Sequence, residues 1–574
     1  MFRISIRAWA PAIIVCIACA GCAGHEGLQK APPGAPAEFY TLMAEIARAR
    51  GEPRVAALAY AAAARSDGRL WPRAATVAAR SLQPTLALDA ARHWLQQEPN
   101  SQAAHLIGAD AGLSLYKIAQ SAADYRFIVA HSGAGVEASL TALQPDLRAA
   151  ESPFAARAVA DRLAAYFPAS AAARQLQGFA ALRAADPAAA VRAFTAALAT
   201  SPAASTLRGA AADARGELIE ALRRARVQSG DAAGPLADSL ADLQRDGTAA
   251  KRFDYAMLLL TAKRNAAARA QLQGLLAKSD AAADARRILG LMDFADGDFA
   301  AARAQFAELL MHGHYVDDSL YYLGLIADQG QHWLRALRYF SRVQRGDNFL
   351  PAVLRAAAIL QAHGAASTAD ELLDRLIDED PGSATEILVA RAQIYARAHD
   401  ARRALGILQQ AIRQYPDSVD LRYERASIDD DDGHVAAALG ELQAILDARP
   451  GDPEAMNALG YTLADHARRL GYARKLIERA LAEAPQDAAI RDSLGWVRYR
   501  EGHAERALPL LSIAYADAPG GDIGAHYGEV LWRLGHRAQA ERIWLQAAAL
   551  DPRNRLLRAT RQRLQGAAAA TAAP

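Results

Sequence analysis

From about residue 37 onward, apolar residues recur at three- and four-residue spacing, with Gly or Pro between the blocks. This pattern predicts one amphipathic helix after another. Strand-like alternation is nearly absent, so the chain reads as all-α. Gly290 and Gly324 stand 34 residues apart, each preceded by leucine (Leu289, Leu323) and followed by Ala302 and Phe306 or by Ala336 and Phe340. The same spacing returns near the C-terminus. Leu459-Gly460-Tyr461 is followed by Ala480 and Pro485, and Leu494-Gly495-Trp496 by Ala507, Leu511, Ala514 and Pro519. Gly528 is followed by Ala540, Trp544, Ala547 and Pro552. Upstream, Ala392, Tyr395, Ala404, Leu408, Ala411 and Pro416 keep this register, as do Gly178, Ala190, Phe194, Ala197 and Pro202.

Alanine is so abundant that an alanine match alone says little; the joint recurrence of Gly, a large residue and Pro is the signal. Small residues let two helices approach, the large residue fills the gap, and the proline ends the second helix. The pattern resembles the tetratricopeptide repeat, which implies a right-handed α-solenoid of helical hairpins. Starts at about residues 37, 68, 102, 137, 171, 249, 283, 317, 350, 385, 419, 453, 488 and 521 give about fourteen hairpins at the period of this repeat. Residues 37–204 carry degenerate repeats and 249–552 a regular superhelix. Register is lost over 205–248, where Gly230 to Pro235 suggests a loop, so this segment is either a distorted repeat or a hinge. Residues 553–566 suit a capping helix, and 567–574 a low-complexity, disordered tail.

The N-terminus has a different character. Arg3 and Arg7 precede an apolar stretch at residues 8–20, and no acidic residue occurs before Glu26, as in a secretory signal peptide over residues 1–21. The three cysteines, Cys16, Cys19 and Cys22, all lie in or just after it. The expected mature body therefore has no thiol for a disulfide, a metal or nucleophilic catalysis. Cys19-Ala20-Gly21-Cys22 resembles the bacterial lipobox, although leucine usually stands where Cys19 does; the alternative is an ordinary signal cleaved nearby. The resemblance implies that Cys22 carries a diacylglycerol and an N-linked acyl chain such as palmitate. Ala23 rather than aspartate then implies the periplasmic face of the outer membrane. Residues 22–36, with Pro32-Pro33-Gly34, read as a lipidated tether.

Charge and motifs narrow the function. Loss of Arg3 and Arg7 with the signal peptide brings the 65 basic groups level with the 63 acidic ones. A formally neutral body without a basic stripe excludes nucleic acid as an expected partner. No zinc-protease, phosphate-loop, nucleophile-elbow or dinucleotide motif occurs in its supporting context. An enzyme, a cofactor, a metal and a small-molecule substrate are therefore not expected; a carbohydrate-acting enzyme with accessory repeats is the distant alternative. His312 and His314 flank a turn without clustered acids. Asp429 to Asp432 before Gly433 lacks the spaced ligands of a calcium loop and reads as a polar turn between helices.

In tetratricopeptide proteins the first helix of each hairpin lines the concave face, and positions two, five, nine, twelve and thirteen commonly meet the ligand. Carried onto this chain, the register selects Tyr321 and Tyr423, then Asn457 and Tyr461, then Asp492, Trp496, Tyr499 and Arg500, then Glu529, Trp532 and Arg533. Trp, Tyr and Arg are enriched in binding hot spots. The alternative is that Trp496 and Trp532 only pack against the next hairpin. With its lipobox and the run from Asn457 to Gly502, the chain resembles proteobacterial outer-membrane tetratricopeptide lipoproteins. Among them is the binding partner of the periplasmic carboxyl-terminal processing protease, an adaptor that activates the protease and presents peptidoglycan hydrolases to it. That resemblance implies a non-catalytic, lipid-anchored periplasmic scaffold. Scaffolds for outer-membrane assembly, a pilus secretin or exopolysaccharide export share the same features.

Overall fold

The computed structural model describes residues 35–201, 210–277, 280–551 and 554–571. The expected signal peptide, Cys22 and tether lie outside them. The described residues form antiparallel helix pairs and contain no strand. None of their helices is long and apolar enough to cross a membrane. First helices begin at Ala249, Ala282, Val316, Phe349, Ala384, Val419, Pro453, Ala488 and Gly521, each within one residue of the expected start. This is the all-α tetratricopeptide solenoid that the spacing predicts.

Local chemistry sets the boundaries. Three second helices begin behind an acidic N-cap: Asp186, Asp298 and Asp400 each accept the amide of the residue three positions on. Such caps satisfy donors that the first turn leaves free, and Pro187 directly after Asp186 gives up no bond there. The preceding turn needs one left-handed residue, Gly297 at φ +79° in one hairpin and Ala185 at φ +54° in another.

The helices of a hairpin touch where the sequence places glycine. A side-chain carbon at Gly324 would lie 2.5 Å from the Phe340 ring, and one at Gly528 would overlap the Trp544 indole. Phe340 is 1% exposed and Trp544 fully buried, so each glycine makes room for a large buried aromatic side chain.

Two compact units emerge. The first contains the described residues up to Ser139 and those from 210 to Ile428; the second contains Leu140–Ser201 and the described residues from Asp429 onward. Within the first unit, distant hairpins meet. The buried Gln83 donates through Nε2 to the Gln414 carbonyl at 2.7 Å, and the Thr85 amide and hydroxyl both donate to Asp417, at 3.1 and 2.9 Å. Asp417 thus serves the start of helix Pro84–Gln97, whose own N-cap Gln83 makes no side-chain cap bond.

Three segments differ from the regular hairpin pattern. The hairpin expected from 137 has a broken first helix, Val136–Ala142 then Gln144–Ala149, interrupted before Pro145. Residues 210–246 form a hairpin of their own, from a 19-residue helix Ala210–Gln228 and helix Ala233–Asp246. The expected loop is shorter than predicted, because Pro235 sits in the first turn of the second helix, where no amide donor is needed. The final helix runs Arg555–Thr571, continuing into the stretch expected to be tail.

Candidate functional site

Helices Pro453–Asp465, Ala488–Arg500 and Gly521–Arg533 are the first helices of the last three repeats, and the final helix packs against the third of them. Together they enclose a cleft of about 1130 Å³ in the second unit. Trp496, Tyr499, Arg500, Glu529 and Arg533 line it, all residues that the repeat register selects. Asp465 and the final-helix residues Leu556, Thr560 and Arg563 complete the wall.

The cleft is internally braced. Tyr499 donates through its hydroxyl to Glu529 Oε1 at 3.0 Å, and Arg563 pairs with the same carboxylate from the final helix. Glu529 is only 4% exposed, so these two donors supply hydrogen bonds in place of the water that burial excludes. Burial first, and Glu529 beside it, push the Tyr499 phenol above its ordinary range, so it stays protonated and remains a donor. Trp496 is 5% exposed and donates through Nε1 to Asp465 Oδ1 at 3.1 Å, while the Arg500 guanidinium lies 5.5 Å from its ring centroid. Trp496 therefore forms the floor, and Tyr499 and the arginines present the more accessible surface.

Beneath the floor lies a buried polar cluster. His526 stacks on Trp496 with centroids 4.2 Å apart and bonds Asp492 Oδ2 through Nδ1 at 2.8 Å; Tyr461 Oη stands 3.5 Å from Nε2. Burial opposes a charge on His526, but Asp492, with Asp465 and Asp522 behind it, outweighs burial and raises the imidazole above its usual range. Burial also raises the Tyr461 phenol. Asp492 Oδ1 and Asn457 Oδ1 are buried without a hydrogen-bond partner among the described residues.

The other register positions have different surroundings. Asn457, Tyr461 and Asp492 belong to the layer under the cleft. Trp532 leans on its own hairpin, 5.5 Å from Trp544, with Arg537 over its ring, so the packing alternative describes its contacts. Tyr321 lies in the first unit, packed against Tyr322 and Phe340, and the half-buried Tyr423 lies there too. His526, Leu556 and Arg563 lie off the register positions, whereas Asp465 occupies position thirteen of its helix and was passed over in the sequence. His526 occupies position six of its helix, and Leu556 and Arg563 come from a helix outside the repeat pattern.

The acidic run is not a turn. Asp429, Asp430 and Asp431 belong to helix Val419–Asp431, and only Asp432 enters the turn with Gly433. Each has a polar partner: the His434 ring for Asp429, the His466 ring for Asp430 at 2.6 Å, and the Arg555 guanidinium for Asp431 at 3.2 Å. Among the described residues no group of three or more His, Cys, Asp or Glu has metal-holding geometry.

No family model matches the chain. A curated TPR repeat-containing protein from Pseudomonas aeruginosa is 34% identical over 214 residues, which make up 37% of this chain and 36% of that protein. That identity accompanies the glycine-and-aromatic hairpin geometry above. The described helices have the fold of tetratricopeptide repeats. The matched stretch spans about a third of the length of its Pseudomonas relative. Solved structures that align with this repeat protein include a TPR protein from Thermus thermophilus, at 22% identity over 30% of this chain and 93% of that one, TM-score 0.27. A second is a tetratricopeptide repeat protein from Parabacteroides merdae, at 15% identity over 39% and 87%, TM-score 0.30.

Proposed function

We propose that the protein is a non-catalytic scaffold of the periplasm, held at the outer membrane through lipid on Cys22, that binds partner proteins through the cleft of its last repeats. The cleft carries this reading: it combines a rigid aromatic floor, a hydrogen-bonded tyrosine and three arginines on one surface, the residue types on which binding energy concentrates. Tyrosine and tryptophan bring large area at small conformational cost. The lipobox-like Cys19-Ala20-Gly21-Cys22 supports the anchor, and two or more acyl chains would suffice without a spanning helix.

The partners best suited to this reading are a carboxyl-terminal processing protease and the peptidoglycan hydrolases that it degrades. The resemblance to outer-membrane tetratricopeptide lipoproteins supports that choice. An adaptor of this kind acts by concentrating protease and substrate on one surface. Purified chain, protease and a hydrolase substrate provide the test. Degradation is expected to accelerate when the chain is added and to fall back about tenfold with Tyr499→Ala plus Arg533→Ala, circular dichroism being unchanged. Equal degradation with and without the chain would remove the adaptor role.

A further inference from the structure

The charges of the cleft are unequally committed, and this indicates what the cleft holds. Its two carboxylates are occupied from within: Glu529 by the Tyr499 hydroxyl and Arg563, and Asp465 by the Trp496 indole, with Arg500 Nη1 at 3.5 Å. Arg533 is exposed, lies beside the Tyr499 hydroxyl and has no carboxylate partner among the described residues. Among the described residues Arg500 has one long ion-pair contact, to Asp465, beside its place over the Trp496 ring, so it too retains bonding capacity. Three arginines against two acids leave the wall with a surplus positive charge, in a body whose mature balance is neutral.

Placement adds a spacing rule. Arg500 ends helix Ala488–Arg500 and Arg533 ends helix Gly521–Arg533, and these helices pack side by side. Packed neighbours stand about 8–10 Å apart, so the two guanidinium groups leave their backbones at about that separation. An extended peptide in the polyproline II conformation rises about 3.1 Å per residue and returns to the same face every third residue, so acids three residues apart would match. Tyr499 and Leu556 line the same cleft and offer apolar contact to a side chain between those acids.

We propose that the cleft binds an extended acidic segment of a partner protein, with carboxylates about three residues apart flanking an aromatic or aliphatic residue. The inference rests on the cleft being the partner-binding surface and adds the chemistry of the occupant. Arginines on separate helices suit side-chain carboxylates spread along a segment better than one terminal carboxylate, which a single clamp would serve.

Fluorescence anisotropy with the full chain tests this, using labelled peptides of about twelve residues blocked at both ends. One carries Glu-Leu-Tyr-Glu at its centre. A second has glutamine for both glutamates, a third has lysine, and a fourth is the glutamine peptide with a free carboxyl terminus. The Glu peptide is expected to bind at least about tenfold more tightly than the others at low salt, the preference weakening as salt rises. Arg533→Glu, at an exposed position, is expected to abolish the preference with an unchanged helical spectrum, and Arg500→Gln to reduce it. Equal binding of the Glu and Gln peptides, tighter binding of the Lys or free-terminus peptide, or a preference that survives Arg533→Glu would overturn the inference. Tyr499→Ala separates it from the reading beneath it. Charge-blind binding that needs Tyr499 counts against the acidic occupant alone, whereas binding indifferent to Tyr499 counts against the cleft.

Discussion

Trp544→Ala is expected to destabilise the last repeats by about 3–5 kcal/mol, toward the lower end of that range. Trp544 is fully buried at the centre of a cluster with Leu511, Val530, Leu531 and Leu557, and it spans the gap that Gly528 leaves between the helices. Its removal opens a cavity that rigid helices fill poorly. The lower end applies because the indole Nε1 has no hydrogen-bond partner among the described residues, and deletion relieves that unmet donor. Trp544→Phe removes the same donor with less volume and is expected to cost less than about 2 kcal/mol. Repeats are stabilised by their neighbours, so urea unfolding of Trp544→Ala should show an early phase confined to the C-terminal hairpins. A single unshifted transition would contradict this account of the core.

Asp492→Ala is expected to cost about 3 kcal/mol near pH 5.5 and clearly less near pH 9. His526 is 2% exposed and Asp492 5%, so the pair is effectively out of solvent, and removing the carboxylate strands the imidazolium. The sign of the pH dependence follows from the raised imidazole value. Stability from His526 is complete below the unfolded histidine value, near pH 6.5, and is lost as pH rises through the higher folded value. The wild-type chain therefore loses stability across that window, and the variant, without the main source of the upward shift, loses less. Denaturant midpoints at several pH values measure both. A gap between the two proteins that does not change with pH would mean that His526 is neutral in the fold.

The repeat starts were legible because packing fixes them. A glycine opposite a large side chain sixteen residues later, as at Gly324 and Phe340, is a spatial contact written at constant spacing. Residues 210–246 were legible only as either a distorted repeat or a hinge, because they lack that pair and begin with a longer helix. The cleft was legible where it lies on register positions, as with Tyr499, Arg500, Glu529 and Arg533. The register placed Trp532 on the same face, yet local packing turns it toward Trp544 and Arg537. The wall from Leu556 and Arg563 was hidden because the final helix carries no repeat spacing, and its docking depends on tertiary partners such as Glu529. The acidic run was read as a turn because the side chains that pair with its helical part, His466 and Arg555, lie far away in sequence.

The central claim is that partner proteins are held in the cleft of the last repeats. Site-specific photo-crosslinking in cells tests it most directly, with the photoreactive residue placed at Tyr499, at Arg533 or at Leu545, which is 60% exposed on the second helix of the last repeat and does not line the cleft. The account predicts that the same partner is trapped from positions 499 and 533 and not from 545. Capture from 545 with none from 499 or 533 would contradict it.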